Sequence, residues 1–82
     1  MPKKIPTLST QAKAFQHGHY RHYKGGEYRT IFIGWDSDTQ AEIVIYMALY
    51  QGGGVFARPL SIFLEEVEYR GKSQPRFQWL EN

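Results

Sequence analysis

The sequence predicts a mainly β domain: a small closed or nearly closed barrel or roll of about five or six short strands with one short helical or 3-10 turn. Three observations carry this expectation. From Gly18 onward, short runs rich in β-branched and aromatic residues alternate with turn signals about every eight to twelve residues. The chain has 82 residues, of which 41% are hydrophobic and 16% aromatic, so it can build one thin core that leans on large rings. It has no cysteine, so packing alone must hold it, and a few short strands bury one core only by covering each other.

Taken in order, residues 1–14 mix Pro2, Pro6, Ser9, Thr10 and three lysines without a sustained period and read as a basic, flexible tail. Within it, "STQAKAF" suits a single helical turn capped by Ser9 or Thr10. Residues 15–82 read as one domain. "HYRHY" is its first strand, and "KGG" turns it because Gly25 and Gly26 accept the positive φ of a tight hairpin. "EYRTIFIGW" follows, with Tyr28, Thr30 and Phe32 on one face and Arg29, Ile31, Ile33 and Trp35 on the other; both faces are largely apolar, which predicts a central strand. "DSDT" is a turn whose side chains bond their own backbone.

"AEIVIYMALY" is the most apolar run. Its Ile43, Val44 and Ile45 favour strand over helix, and alternation sends Val44, Tyr46, Ala48 and Tyr50 to the face opposite Ile43, Ile45, Met47 and Leu49. "QGGG" is a hairpin tip, and "VFARP" a strand ended by Pro59, which cannot donate to a ladder. The spacing of Leu60, Phe63 and Leu64 predicts one helical or 3-10 turn. "EVEYR" and "RFQWL" are the last strands, with "GKSQP" as the turn between them.

Charge narrows the function without naming it. The net charge is +2, but residues 1–29 carry six Lys or Arg against one Glu, net +5, and the remainder carries four against seven, net −3. The basic half attracts anionic partners; the ordinary alternative is two solvated faces attracting each other. No apolar run is long enough to cross a membrane, and "MPKKIPTLSTQAK" lacks the apolar stretch of a secretory signal, so a cytoplasmic location is expected.

"HGHYRHYKGG" invites a metal reading. His17 and His19 share a strand face while His22 falls on the other, and two imidazoles do not complete a zinc site, so no metal or cofactor is expected. No catalytic residue is assigned either. Ser9, Ser37, Ser61 and Ser73 lack a G-x-S-x-G elbow, Glu66 and Glu68 share a solvent face, and no phosphate-cradling G-x-x-x-x-G-K-[ST] motif occurs. Aromatic and basic interleaving is the better lead. Tyr20, Tyr23, Tyr28, Tyr46, Tyr50 and Phe63 can line a platform beside His22, Lys24 and Arg58, suited to stacking on a base, a proline or a cationic group. Against this, tyrosine on a half-buried strand is commonly a core ring with its hydroxyl at the rim, and Arg58 can be a structural partner of Glu65 or Glu66.

"HYKGGEY" at His22–Tyr28, "VIYMALY" at Val44–Tyr50 and "FARPLSIFLEEVE" at Phe56–Glu68 resemble the signature of a family of short bacterial proteins, domain-of-unknown-function family 1653. Its members read approximately as a G-x-Y-x-H-Y-K-G hairpin, a V-V-Y strand and a W-V-R-P-x-x-x-F segment, and the resemblance spans Gly18 to about Leu80. It implies an SH3-like small barrel or roll and no established activity. It maps the family's recurring residues onto Tyr20, His22, Tyr23, Lys24, Gly25, Tyr28, Tyr46, Arg58, Pro59 and Phe63. Phe56 stands where tryptophan is common, which removes an indole, and Gly26 stands where asparagine is common, which alters only a turn.

Together these readings lead to an uncharacterised, noncatalytic binding module for a protein or peptide partner, with Tyr20, His22, Tyr23, Lys24, Tyr46, Arg58 and Phe63 as its partner-binding residues. Tyr20, Tyr23 and Tyr46 would present ring faces, His22 a switchable donor or acceptor, and Lys24 and Arg58 charge. Binding of single-stranded DNA or RNA is the alternative; a small enzyme or metal-binding protein ranks below both. A monomer is favoured.

Overall fold

A computed structural model describes residues 5–82. Lys3 and Lys4, two of the three lysines of the tail, lie outside the described residues. The elements are α1 (Thr10–Lys13), β1 (His19–His22), β2 (Glu27–Trp35), β3 (Glu42–Ala48), β4 (Val55–Pro59), α2 (Leu60–Phe63), β5 (Glu66–Tyr69), β6 (Lys72–Pro75) and β7 (Phe77–Glu81). Five strands form an antiparallel sheet in the order β4-β3-β2-β1-β7, and β5 pairs with β6 as a separate ribbon.

The mainly β expectation holds, with two corrections. Among the described residues the main sheet does not close, because β4 and β7 each pair on one side only. The described residues form seven strands instead of five or six, because "KSQP", read as a turn, is β6. Its residues have little intrinsic strand preference. What pairs them is the two-residue turn at Arg70 and Gly71, both at positive φ (54° and 77°), which folds β6 directly back on β5.

The concave face of the main sheet carries the core. Val44, Tyr46 and Ala48 point into it as alternation requires, at 0%, 4% and 5% exposure. On β2 the alternation breaks. An irregularity between Thr30 and Phe32 places Ile33 opposite Val44 and Phe32 opposite Ile45, so Ile33 packs on the core and Phe32 is exposed. One extra residue in one strand of a pair shifts every later side chain to the other face. The expected grouping of Phe32 with Tyr28 and Thr30 is therefore corrected.

Both short helices roof one end of this face. Leu60 and Phe63 of α2 are buried at the predicted spacing, and Leu64 is exposed. The helical turn expected in "STQAKAF" forms with Ser9 as its cap, accepting from the Ala12 N–H at 3.1 Å. Ser9 also donates through its N–H and its hydroxyl to the two carboxylate oxygens of Glu42, at 2.6 and 2.7 Å. Leu8, Ala12 and Phe15 thereby reach the core, so residues 8–14, read within a tail, are packed segment in the structure.

The turns follow their local chemistry. Asp36 Oδ1 accepts from the backbone N–H groups of Asp38 (2.8 Å) and Thr39 (2.9 Å), which closes the "DSDT" turn and holds the Asp36 carboxyl below its ordinary range. In the first hairpin Gly25 adopts φ 106°, its N–H donates to the His22 carbonyl at 2.7 Å, and the pairs Tyr20 with Tyr28 and Arg21 with Glu27 follow in register.

Candidate functional site

α1 and α2 pack over part of the concave face, and the part where Tyr50 and Phe56 stay exposed is its open end. There the strand registers bring together His22 of β1, Tyr28 of β2, Tyr46 of β3, Phe56 and Arg58 of β4, and Phe77 of β7. Tyr28 is the hub of the rings. Its centroid lies 5.3 Å from Tyr46, 5.6 Å from Tyr50, 5.8 Å from Phe77 and 6.2 Å from Phe56, each nearly edge to face. Tyr50 and Phe56 form the outer wall, 43% and 47% exposed. The Tyr28 and Tyr50 hydroxyls are 2.6 Å apart; that hydrogen bond, with burial second, pushes the Tyr28 phenol up to about 12.

Arg58 is half-buried at this opening. Its Nε donates to the Tyr46 hydroxyl at 3.1 Å, and its guanidinium carbon lies 5.8 Å from the centroid of Phe77. His22 packs edge-on against the same ring at 5.0 Å, and its Nδ1 accepts the Lys24 backbone N–H at 3.1 Å. With Nδ1 accepting, the neutral imidazole carries its proton on Nε2.

The residues expected to contact a partner fall into three groups. Tyr20, Tyr46 and Phe63 are core rings, at 5%, 4% and 1% exposure, which corrects the expectation that Tyr20 and Tyr46 present ring faces. Tyr20 donates its hydroxyl to the Gln16 carbonyl, stacks on Phe15, and is pushed up to about 12 by burial. Position on a strand cannot tell a core ring from a surface ring when both faces of the sheet are largely apolar. His22 and Arg58 do meet, through Phe77. Tyr23 and Lys24 lie on the ribbon side of His22: the Tyr23 ring is 4.5 Å from the His22 ring and packs on Tyr69 of the ribbon at 5.1 Å, with Lys24 Nζ 5.7 Å from the Tyr23 centroid. Tyr23 and His22 also border a cleft of about 190 Å³ with Arg21, Gln74, Pro75 and Gln78, below the roughly 300 Å³ at which small-molecule pockets begin.

Arg58 does not pair with Glu65 or Glu66, as its structural alternative required. Glu65 takes Arg76 Nη2 at 2.9 Å and Glu66 takes the Ser73 hydroxyl at 3.0 Å. Phe56 and Phe77 are the site residues that sequence reasoning missed. Phe56 was legible from the period of two that joins it to Arg58; Phe77 was not, because only the return of β7 beside β1 brings it under His22. Of the histidines, His17 lies against Phe15 at 5.0 Å and His19 Nε2 is 2.7 Å from Glu27. Among the described residues no three metal-ligating side chains gather, and no helix is long and apolar enough to cross a membrane.

The model of a family described as "Protein of unknown function (DUF1653)" matches residues 18–79. The chain belongs to this family. A crystal structure of a DUF1653 protein from Bordetella bronchiseptica is similar to it with a TM-score of 0.78 and 34% identity, over 84% of this chain and 91% of that one. No curated protein matches this chain. The span matched to DUF1653 contains every residue of the open end and leaves out α1.

Electrostatics at the open end of this DUF1653 domain are one-sided. The His22 imidazole is held below its ordinary value, first by burial and then by Arg58, Arg76 and Lys24. Because the folded value lies below the unfolded one, the unfolded chain takes up the proton first as pH falls. The stability this neutral ring contributes is present above about pH 6.5 and is lost as pH falls through the folded value. Urea unfolding at a series of pH values is expected to show this loss in the wild type and a flatter profile in His22→Gln. Equal slopes would mean that neither burial nor the three cations holds the ring below its ordinary value.

Proposed function

We propose that this domain is a noncatalytic binding module, and that the open end of its concave face takes a segment of a protein or peptide partner. The observation that carries the reading is the wall of Tyr50 and Phe56, backed by Tyr28, beside a half-buried arginine that no carboxylate pairs among the described residues. Exposed aromatic rings resting on a rigid core, with arginine at the rim, are the residue types that dominate the energetics of interfaces. His22 supports the noncatalytic reading: it faces three cations and not the carboxylate that would orient a general base. The strand order, with β7 returning beside β1 after the α2 turn, supports reading the fold as an open roll of the SH3-like kind.

Selection of displayed random peptides on the folded protein, followed by mapping of the amide shifts that each binder causes, tests this. Shifts are expected at Tyr28, Tyr50, Phe56 and Arg58, with Phe56→Ala weakening binding about tenfold or more. Binders that map to the convex face, or no enrichment at all, would sink the reading. Single-stranded oligonucleotides titrated at low and at physiological salt test the alternative: shifts at His22, Lys24 and Arg58 that fade with salt would favour nucleic acid.

A further inference from the structure

We propose that the open end of the concave face reads a carboxylate of an acidic peptide segment, with Arg58 as the fork that holds it and Tyr28, Tyr50 and Phe56 taking the neighbouring apolar side chain. This rests on the binding-module reading and adds the chemistry of the partner.

The charge is uncompensated where it matters. Glu27 is engaged by His19 at 2.7 Å and by Arg21 at 3.4 Å, Glu65 by Arg76, Glu66 by Ser73, and Glu42 by Ser9. Arg58 makes no ion pair among the described residues, so a partner's carboxylate does not have to displace one of the protein's own.

Geometry then favours a planar oxyanion. Nε of Arg58 is committed to the Tyr46 hydroxyl, which leaves the two terminal nitrogens, the pair that grips a carboxylate with two parallel hydrogen bonds. Phe77 beneath the guanidinium and Tyr46 at its side hold the fork in place, so little side-chain freedom remains to be lost on binding. His22 Nε2–H, against the same Phe77 ring, adds a donor. Of the two protons on the paired Tyr28 and Tyr50 hydroxyls, their mutual bond uses one and leaves the other to donate.

Peptide is favoured over nucleic acid by the rings. Tyr46 and Phe77 are buried and Tyr28 meets its neighbours edge to face, so among the described residues the exposed rings of this opening are the pair Tyr50 and Phe56, which suits one apolar side chain better than a run of stacked bases. A total charge of +2 is also low for a surface that tracks a phosphate backbone.

The test is an NMR titration of isotope-labelled protein at low salt with acetyl-Glu-Phe-Glu-amide and, separately, its uncharged counterpart acetyl-Gln-Phe-Gln-amide. The acidic peptide is expected to bind about tenfold or more tightly and to shift the Arg58 Nε–H and His22 ring signals. Arg58→Gln is expected to erase the preference and Arg58→Lys to keep part of it, with amide dispersion confirming that both variants fold. The acidic peptide should also raise the His22 titration midpoint, since its carboxylate offsets Arg58 of β4, Arg76 before β7 and Lys24 of the turn; the Tyr23 and Tyr28 rings are the other titratable groups packed against the imidazole.

Equal binding of the two peptides at Tyr28 and Phe56, or an acidic preference that survives Arg58→Gln, would overturn the carboxylate assignment and leave the binding module standing. Failure of both peptides to shift this end would remove the assignment, and the peptide selection then decides the module separately. Tighter binding of a thymidine hexanucleotide, lost in Arg58→Gln, would overturn it in favour of nucleic-acid phosphate.

Discussion

Phe63→Ala is expected to cost about 3 to 5 kcal/mol of folding stability. Only 1% of Phe63 is exposed, and it is the ring on which the core converges: it stacks on Phe77 at 4.1 Å with the planes 3° apart, and meets Tyr20, Phe15 and Tyr46 edge-on at 5.1, 5.5 and 5.5 Å. Truncation loses the transfer energy of the ring and leaves a cavity that Phe15 after α1 and the rings of β1, β3 and β7 cannot collapse into without giving up their own packing. At roughly 0.05 to 0.15 kcal/mol per residue, a domain of this length has only about 4 to 12 kcal/mol in total, so the variant is expected to be partly unfolded at 25 °C. Urea unfolding followed by tryptophan fluorescence measures the loss, with Phe63→Leu as the milder comparison. A loss below about 1 kcal/mol would contradict the close packing described here.

Gly18→Ala is expected to cost about 3 kcal/mol or more, for a different reason. Gly18 sits at φ 151°, and a Cβ there would lie 2.3 Å from the backbone oxygen of Glu81 and 2.9 Å from Cα of Asn82. Backbone atoms cannot rotate aside as a side chain would. The end of β7 would have to move, at the point where its register with β1 already shifts. Gly18 itself is held by its N–H to Thr30 Oγ1 (2.8 Å) and by the Thr30 N–H to its carbonyl (2.9 Å). Gly25→Ala is the control. It also has a positive φ, 106°, but nothing lies within 4 Å of a Cβ there, so only the backbone strain of about 1 to 2 kcal/mol is expected. Equal losses in the two variants would mean that the approach of β7 to Gly18 is not tight.

Much of the local structure was legible because it rests on local chemistry. The cap at Ser9, the Asp36 turn, the Gly25 hairpin and the helical turn at Leu60–Phe63 each follow from a few neighbouring residues, and the alternation of Val44, Tyr46 and Ala48 follows from the period of a strand. The site was only partly legible. His22 and Arg58 stand 36 positions apart in number and meet because β1 lies against β7 and β3 against β4, so Phe77 can lie under both. Tyr20 and Tyr46 are indistinguishable by type from Tyr28 and Tyr50. Which of them is core depends on where α1 and α2 roof the sheet.

By itself, then, the sequence determined a mainly β chain with one thin aromatic core, its turns and caps, and membership in DUF1653 through motifs spread from His22 to Glu68. Only the tertiary structure decided that the main sheet stays open, that Ile33 and not Phe32 turns inward, and that the basic and aromatic residues divide into a buried set and an exposed one. The physical reason is range. Hydrogen bonds and dihedral preferences act between neighbours in the chain and can be read along it, whereas burial and the pairing of charges depend on which distant strands come to lie side by side.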